Sequence, residues 1–308
     1  MSLSGGKQDS HIDAAESHYA KASQFEREGK YPEALAEISS AIELLPTIDH
    51  YRYTKIRLLQ LVGRKASALE EYNKLLEIFP NDPGAHFSKG YFLYMKTKDY
   101  EGARDEFSKA EGLNPNKWEY PFWRGKALSL LGDYDEALKE FERAKGLVAV
   151  FSNLIRNDFA LSKGVALLGL ARYPQALSEF DRAAEIFQDD FTTFTYKGYA
   201  LAKMGKFAES ETEFRKALNI RPGSALVYFN YAKLFALSGK EEEGLKMLMA
   251  LQNSGETDQD VCKFVLAALS GEKDRDLGQM MNREERALFE SFLKGCCPHV
   301  GDLEEQNR

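Results

Sequence analysis

An all-α solenoid of paired helices is the fold class that this 308-residue sequence predicts, and three observations lead to it. A basic residue followed by glycine recurs at 89–90, 124–125, 163–164 and 197–198. About ten residues after each glycine comes a turn, and then an aromatic residue, an alanine or serine, and a phenylalanine at helical spacing. Gly164 and Gly198 lie 34 residues apart, which is the period of a two-helix repeat. Since each repeat stacks on the next, the chain is expected to form one extended array rather than separate globular cores.

Seven predicted units follow one another along the chain, at 15–46, 49–80, 83–115, 118–147, 157–188, 191–222 and 225–252. Residues 1–14 are polar and contain glycine, so we predict a flexible N-terminal segment there. After the last unit the period stops, and residues 253–308 show helical apolar spacing with an excess of acidic residues. The last repeat of a solenoid exposes an apolar face, so this region is predicted to supply capping helices and an acidic tail.

The unit at 118–147 shows how the two helices of a pair are expected to meet. Gly125 and Ala137 carry almost no side chain, so the helices can approach closely there, while Leu128 and Phe141 fill the space around the contact. A glycine in the middle of a helix costs about 1 kcal/mol relative to alanine. Its return at the same position in four units predicts that close packing offsets this cost.

These hallmarks resemble the tetratricopeptide repeat, which combines a Gly–Tyr pair, an alanine, a phenylalanine and a closing proline. The unit at 118–147 contributes Gly125, Leu128, Gly132, Tyr134, Ala137, Phe141 and Ala144 to the match. The next unit contributes Gly164, Leu167, Tyr173, Ala176, Phe180 and Ala183. Two units depart from the pattern, since Ile56 occupies the small position of the second, and Gly244 and Leu251 replace hallmarks of the seventh. The resemblance implies a right-handed superhelix that holds a peptide or partner helix in a concave groove lined by the first helices.

Two irregularities interrupt the period. The unit at 83–115 is one residue longer than the others, and about five extra residues lie within 147–158. We expect the second insertion to lengthen the second helix of the fourth unit. Its apolar residues either pack inward or form a ridge that faces a partner; they are Val150, Phe151, Leu154 and Ile155.

The resemblance also gives candidate partner-binding residues on the first helices. They are Tyr19, Tyr53, Arg57, Phe87, Tyr91, Tyr94, Phe122, Lys126, Tyr196, Tyr199, Phe229, Asn230 and Lys233. For Phe87, Phe122 and Phe229 the alternative is packing between neighbouring helices, and for the two lysines it is simple solvation. Tyr91 and Tyr199 follow the small residue directly, so we predict that truncating both weakens partner binding and leaves the melting temperature nearly unchanged.

One known partner of this family is not expected here. Some tetratricopeptide domains bind the acidic C-terminal tail of chaperones through a lysine and an asparagine that lie four residues apart on one first helix. The corresponding pairs in this chain are Tyr19/Ser23, Tyr53/Arg57, Phe87/Tyr91, Phe122/Lys126, Leu161/Val165, Thr195/Tyr199 and Phe229/Lys233. None of them is Lys/Asn, so such a tail is an unlikely ligand, and the aromatic residues favour an internal segment or helix with apolar anchors.

Composition and motifs exclude several other classes of function. A net charge of −7 without basic runs argues against nucleic-acid binding, and no apolar stretch is long enough for membrane insertion. Three cysteines cannot form a disulfide framework, which fits the cytoplasm. No catalytic motif is present, the five histidines are scattered, and Cys296 and Cys297 lack the spacing of zinc ligands. We therefore predict neither enzyme activity nor any cofactor or metal.

The sequence leaves two functional interpretations. The first is a non-enzymatic scaffold or adaptor that binds a protein or peptide partner on its repeats. The alternative is a structural subunit that oligomerises through the exposed ends of the solenoid.

Overall fold

A computed structural model describes residues 5–222, together with Ser224, Val227, Asn230, Tyr231, Leu234 and Ser238. All the regular secondary structure in this part of the chain is helical, which confirms the all-α prediction. The helices are α1 (Gly5–Arg27), α2 (Tyr31–Leu44), α3 (Asp49–Leu61), α4 (Lys65–Ile78), α5 (Pro83–Phe92), α6 (Tyr100–Leu113), α7 (Glu119–Leu131), α8 (Tyr134–Leu147), α9 (Asn153–Gly169), α10 (Tyr173–Ile186), α11 (Phe191–Lys203) and α12 (Phe207–Ile220). A π-helical segment, Leu93–Thr97, continues directly from α5.

Consecutive helices pack on one another, as the predicted solenoid requires. The described residues divide into two compact units, one that ends at Trp123 and one that begins at Arg124, and the boundary falls inside α7. In the first unit the successive contacts run from α1 to α6, and in the second unit they run from α8 to α12. The chain is thus an all-α repeat solenoid. The predicted seventh unit lies largely outside the described residues, and the predicted capping helices and acidic tail lie wholly outside them.

Each helix pair is closed by a tight turn that needs one residue with positive φ. Gly29, Gly63, Gly132 and Gly205 occupy this position with φ between 73° and 88°. In the pair α9–α10 the same position is Ala171, with φ of 55°. Glycine adopts the left-handed region without steric cost, which explains why it recurs at the turns.

The close approach of the paired helices is confirmed at the four recurring glycines, each of which faces a phenylalanine ring of the second helix. A methyl group at Gly90, Gly125 or Gly198 would lie within 3.0 Å of Phe107, Phe141 or Phe214 respectively. Gly164 faces Phe180 in the same way. All four rings are fully buried. The small residue of the first helix therefore makes room for a ring carried by the second helix.

The basic residue that precedes the recurrent glycine, or Ile56 in the second repeat, also has a structural role. It pairs with the glutamate that precedes the buried ring of the second helix. These pairs are Lys55–Glu71, Lys89–Glu106, Arg124–Glu140, Lys163–Glu179 and Lys197–Glu213. Burial of the Glu106 carboxylate opposes its charge, but its hydrogen bonds with His86, Lys89 and Lys109 outweigh that effect and keep its pKa below the usual value. The charged pairs thus tie the two helices of a repeat together beside the ring contact.

The extra residue of the third repeat, at 83–115, is accommodated in the π-helical segment. From Gly90 to Tyr100 the chain has one residue more than from Gly125 to Tyr134. A π-helical turn adds a residue to a helix without breaking its continuity. The segment ends at Thr97, and Lys98, the next residue, has φ of 61° and takes the place of the usual turn glycine.

The insertion at 147–158 does not lengthen the second helix of its unit, so that expectation was wrong. Helix α8 has 14 residues, the same length as α10 and α12. The additional residues form a connection at 148–152 and lengthen α9 to 17 residues, with the hydroxyl of Ser152 accepting a hydrogen bond from the amide of Ile155 at its start. A side-chain cap of this kind fixes where a helix begins. At the N-terminus α1 begins at Gly5, so most of the segment that we predicted to be flexible is helical.

Candidate functional site

A cluster of aromatic side chains lies on α5, its π-helical extension and the start of α7, all within the first unit. Trp123 is at its centre, with its ring 4.8 Å from Tyr91 and 5.4 Å from Tyr94, both in edge-on geometry. Phe87 contacts Tyr91 on one side and the buried Phe107 on the other. We call the exposed side of this cluster the aromatic face; it comprises Phe87, Tyr91, Tyr94, Met95 and Trp123.

The aromatic face contains side chains that are exposed to solvent and that pack on other aromatic rings. Tyr91 and Met95 are each 40% exposed, although both are large and the cluster beneath them is buried or half-buried. Edge-on aromatic pairs are worth about 0.5–1.5 kcal/mol beyond the area that they bury. Tyr91 is therefore held in place by Trp123 and is open to a ligand on its other side.

Tyr53 and Arg57 also lie in the first unit, on α3, but their side chains are engaged within it. The Tyr53 hydroxyl donates a hydrogen bond to Asp82 at 3.2 Å, and burial together with this carboxylate raises its pKa. Arg57 is exposed and forms an ion pair with Glu26 of α1. Arg57 thus presents its charge at the surface, whereas Tyr53 serves mainly to join α3 to the start of α5.

Three further candidates have mainly structural environments. Phe122 is buried beside Trp118 and Trp123, in agreement with the packing alternative. Tyr196 is half-buried and stacks on Phe180, with 5.6 Å between ring centroids. Lys126 is half-buried rather than solvated, and this burial lowers its pKa while the charge of Asp158 opposes the shift.

Tyr199 has to be corrected, because the prediction treated it like Tyr91. It follows the small residue of its helix just as Tyr91 does, yet it is only 4% exposed. It belongs to the same buried cluster as Phe194, Phe214, Tyr231 and Leu234. Residues of the seventh repeat therefore cover this position. Tyr199 is a core residue of the compact unit that begins at Arg124.

This correction changes what truncation of Tyr199 should do. Removing a buried aromatic side chain leaves a cavity, which typically costs about 3–5 kcal/mol. We expect Tyr199→Ala to lower the urea midpoint markedly, and the combination Tyr91→Ala with Tyr199→Ala to be no more stable than Tyr199→Ala alone. An unchanged urea midpoint would show that Tyr199 is not a core residue.

The remaining groove candidates fall in the predicted seventh unit. Phe229 and Lys233 lie outside the described residues. Asn230 is described and is buried. Because its side chain is buried, Asn230 is not accessible to a ligand at the surface.

The structure also shows a surface of which the sequence had singled out only Phe151, as a member of the apolar ridge. A cavity of about 330 Å³ lies between the end of α8, the inserted connection, α9 and α10. We call it the insertion pocket; it is lined by Lys145, Phe151, Arg156, Phe159, Ala160, Lys163, Glu179, Arg182 and Ile186. The only sign of it in the sequence is the irregular spacing at 147–158, because its charged residues are distributed over three helices.

Neither a metal site nor a membrane-spanning helix is found in the described part of the chain. There, no three histidine, cysteine, aspartate or glutamate side chains come close enough to hold a metal ion. The three cysteines all lie outside this part. None of the described helices has both the length and the apolar character that crossing a membrane requires.

Family models agree with the repeat pattern seen in the helix pairs. A model of the tetratricopeptide repeat matches residues 53–121 and 93–149, and a second model of the same repeat matches residues 196–224. The chain is a tetratricopeptide repeat protein. The matched regions contain the aromatic face and most of the helix pair that includes Tyr199.

Solved structures of other proteins, two of them named as tetratricopeptide repeat proteins, share the fold. One from Parabacteroides merdae has a TM-score of 0.68 at 14% identity and covers 82% of this chain and 97% of its own. Pseudomonas aeruginosa pilF has a TM-score of 0.55 at 20% identity, covering 74% and 99%. The C-terminal part of a repeat protein from Cytophaga hutchinsonii has a TM-score of 0.54 at 12% identity, covering 80% and 98%. Identities this low establish the fold alone. A search of curated proteins finds no match to this tetratricopeptide repeat protein.

Proposed function

We propose that this tetratricopeptide repeat protein is a non-enzymatic interaction scaffold that binds a peptide or helix of a partner protein on its aromatic face. The observation that carries the proposal is the exposure of Tyr91 and Met95 on a cluster of aromatic side chains that are otherwise buried or half-buried. Aromatic residues and methionine are enriched at protein interfaces, where charged residues are depleted at the centre. Tyr91 and Met95 together are therefore suited to bind an apolar side chain of the partner.

The shape of the aromatic face favours a partner with more than one apolar anchor. Tyr91 and Met95 are four residues apart on a continuous helical segment, so they lie on the same side of it. A helix or extended peptide that runs along this segment can contact both residues in turn. Arg57, on the neighbouring first helix, provides an exposed charge.

Tyr91→Ala is expected to weaken partner binding about tenfold, which corresponds to about 1.4 kcal/mol. A rigid aromatic anchor at the centre of an interface contributes at least this much. Its stability cost is expected to stay within about 1.5 kcal/mol, the range of an aromatic pair. The measurement is quantitative affinity capture from native extract with the wild-type protein and the variant, accompanied by urea unfolding of both.

Leu113→Ala is a matched control, because Leu113 is an equally exposed apolar residue of the first unit outside the aromatic face. A partner that is lost with Tyr91→Ala and kept with Leu113→Ala supports the proposal. If both variants retain the same proteins as the wild type, the aromatic face is not the binding site. Molar mass by light scattering over a range of concentrations tests the rival interpretation, since a self-assembling subunit would grow in mass without any partner.

A further inference from the structure

The insertion pocket has a charge that differs from that of the whole protein. Four of its lining residues are basic, namely Lys145, Arg156, Lys163 and Arg182, and one is acidic, Glu179. The chain as a whole has a net charge of −7. A local excess of positive charge on an acidic protein selects for an anionic ligand.

Internal pairing accounts for only part of this positive charge. Lys163 pairs with Glu142 and Glu179, and Arg182 pairs with Glu179. The side chains of Lys145 and Arg156, by contrast, are exposed and form neither an ion pair nor a hydrogen bond with any described residue, although the charge of Lys145 helps to lower the pKa of Glu142. Two of the cations that line the pocket can thus pair with a ligand without breaking a side-chain hydrogen bond or ion pair.

Part of the pocket lining is apolar. The rings of Phe151 and Phe159 lie with 6.1 Å between their centroids, and Ile186 also lines the cavity. Phe159 is buried, whereas Phe151 and Ile186 are half-buried. A volume of about 330 Å³ is at the lower end of the range for small ligand sites, enough for one large side chain.

Apolar surface continues beyond the pocket along the same inserted segment. Val150 is 79% exposed and Leu154 is 68% exposed. Both were predicted as members of a possible ridge, and they are the most exposed large apolar residues of the described chain. A ligand confined to the cavity would leave them uncovered, while an extended chain that enters the cavity with one side chain could pass over them.

We propose that the insertion pocket binds an acidic peptide segment of a partner protein, with one large apolar side chain of that segment seated on Phe151 and Phe159. Carboxylates flanking the apolar side chain pair with Lys145 and Arg156. This is a second site, built from residues of the second unit, and it does not depend on the aromatic face. The proposed site assigns a binding role to the inserted residues at 147–158, which are not needed for the packing of the repeats.

The test uses a fluorescein-labelled peptide, acetylated and amidated at its ends, with two aspartates on each side of one phenylalanine. Fluorescence anisotropy is expected to show saturable binding to the full chain that weakens with added salt, since exposed charges are screened. Charge reversal with Lys145→Glu and Arg156→Glu should raise the Kd at least tenfold. A peptide with lysines in place of the aspartates, or with alanine in place of phenylalanine, should bind at least tenfold more weakly.

The matched control is Arg64→Glu with Lys65→Glu, which changes the net charge equally at two exposed residues of the first unit. Binding should be unaffected in this control and in Tyr91→Ala, so that failure of the aromatic-face proposal stays distinguishable. Thermal melting establishes that all variants are folded. No saturable binding by the wild type, equal loss in the control, or displacement of the peptide by phenylacetate at the same concentration would each overturn the proposal.

Discussion

Gly198→Leu is expected to lower the free energy of unfolding by about 1–3 kcal/mol, as overpacking of a well-packed core does. A Cβ atom at this position would lie 2.9 Å from the Phe214 ring, and the ring is fully buried. Phe214 cannot turn away easily, because it stacks on Tyr231 with 5.3 Å between centroids. The hydroxyl of Ser210 also donates a hydrogen bond of 2.6 Å to the carbonyl oxygen of Gly198, which would be strained if the helices separated. Urea unfolding followed by circular dichroism measures the effect.

Gly146→Leu serves as the control for helix propensity. Gly146 lies in α8, and a side chain there would meet nothing within 4 Å. Leucine is a better helix former than glycine by up to about 1 kcal/mol, so this variant should be as stable as the wild type or slightly more stable. If Gly198→Leu is also as stable as the wild type, close helix contact is not the reason for glycine at this position.

The sequence was sufficient to predict the repeat because both its hallmarks are local. A small residue on the first helix and a ring on the second belong to one helix pair, so their spacing is visible within about 20 residues of sequence. Ser210, which replaces the hallmark alanine, is explained only by the structure, since its hydroxyl bonds to Gly198 on the partner helix. The π-helical segment Leu93–Thr97 is likewise the structural form of one extra residue that the sequence had shown.

The candidate site was less predictable, because exposure depends on the next repeat. Tyr91 and Tyr199 occupy the same position relative to the small residue, yet only Tyr91 is exposed. Tyr199 is covered together with Tyr231 and Leu234, which lie more than 30 residues further along the chain. No local pattern could distinguish the two tyrosines. The insertion pocket was missed for the same reason, since Lys145, Arg156 and Arg182 come together only when α8, α9 and α10 pack.

Glu106→Gln is expected to destabilise the protein by about 2 kcal/mol at pH 7, because hydrogen bonds to a charged group contribute about 1.5–3 kcal/mol. The buried carboxylate of Glu106 lies 2.6 Å from Nδ1 of His86, 3.0 Å from Nζ of Lys89 and 3.1 Å from Nζ of Lys109. Glutamine keeps the size of the side chain but removes the negative charge of the carboxylate with which His86, Lys89 and Lys109 interact. Glu101→Gln on the same helix is the control, since Glu101 is exposed and surface substitutions usually change stability by no more than about 0.5 kcal/mol.

The pH dependence gives this prediction a second, independent readout. Burial opposes the charge of Glu106, but its three hydrogen-bonded partners prevail and lower its pKa below the ordinary value of 4.5. A lowered pKa in the folded state means that the stabilisation is fully present above the ordinary value and is lost as the pH falls towards the folded value. The stability difference between the wild type and Glu106→Gln should therefore be largest at neutral pH and should shrink below pH 4.5. Urea midpoints measured from pH 7 down to pH 3 follow this difference directly. A difference that stays constant over that range would mean that glutamine disturbs packing, and that the charge of Glu106 does not hold the two helices of its repeat together.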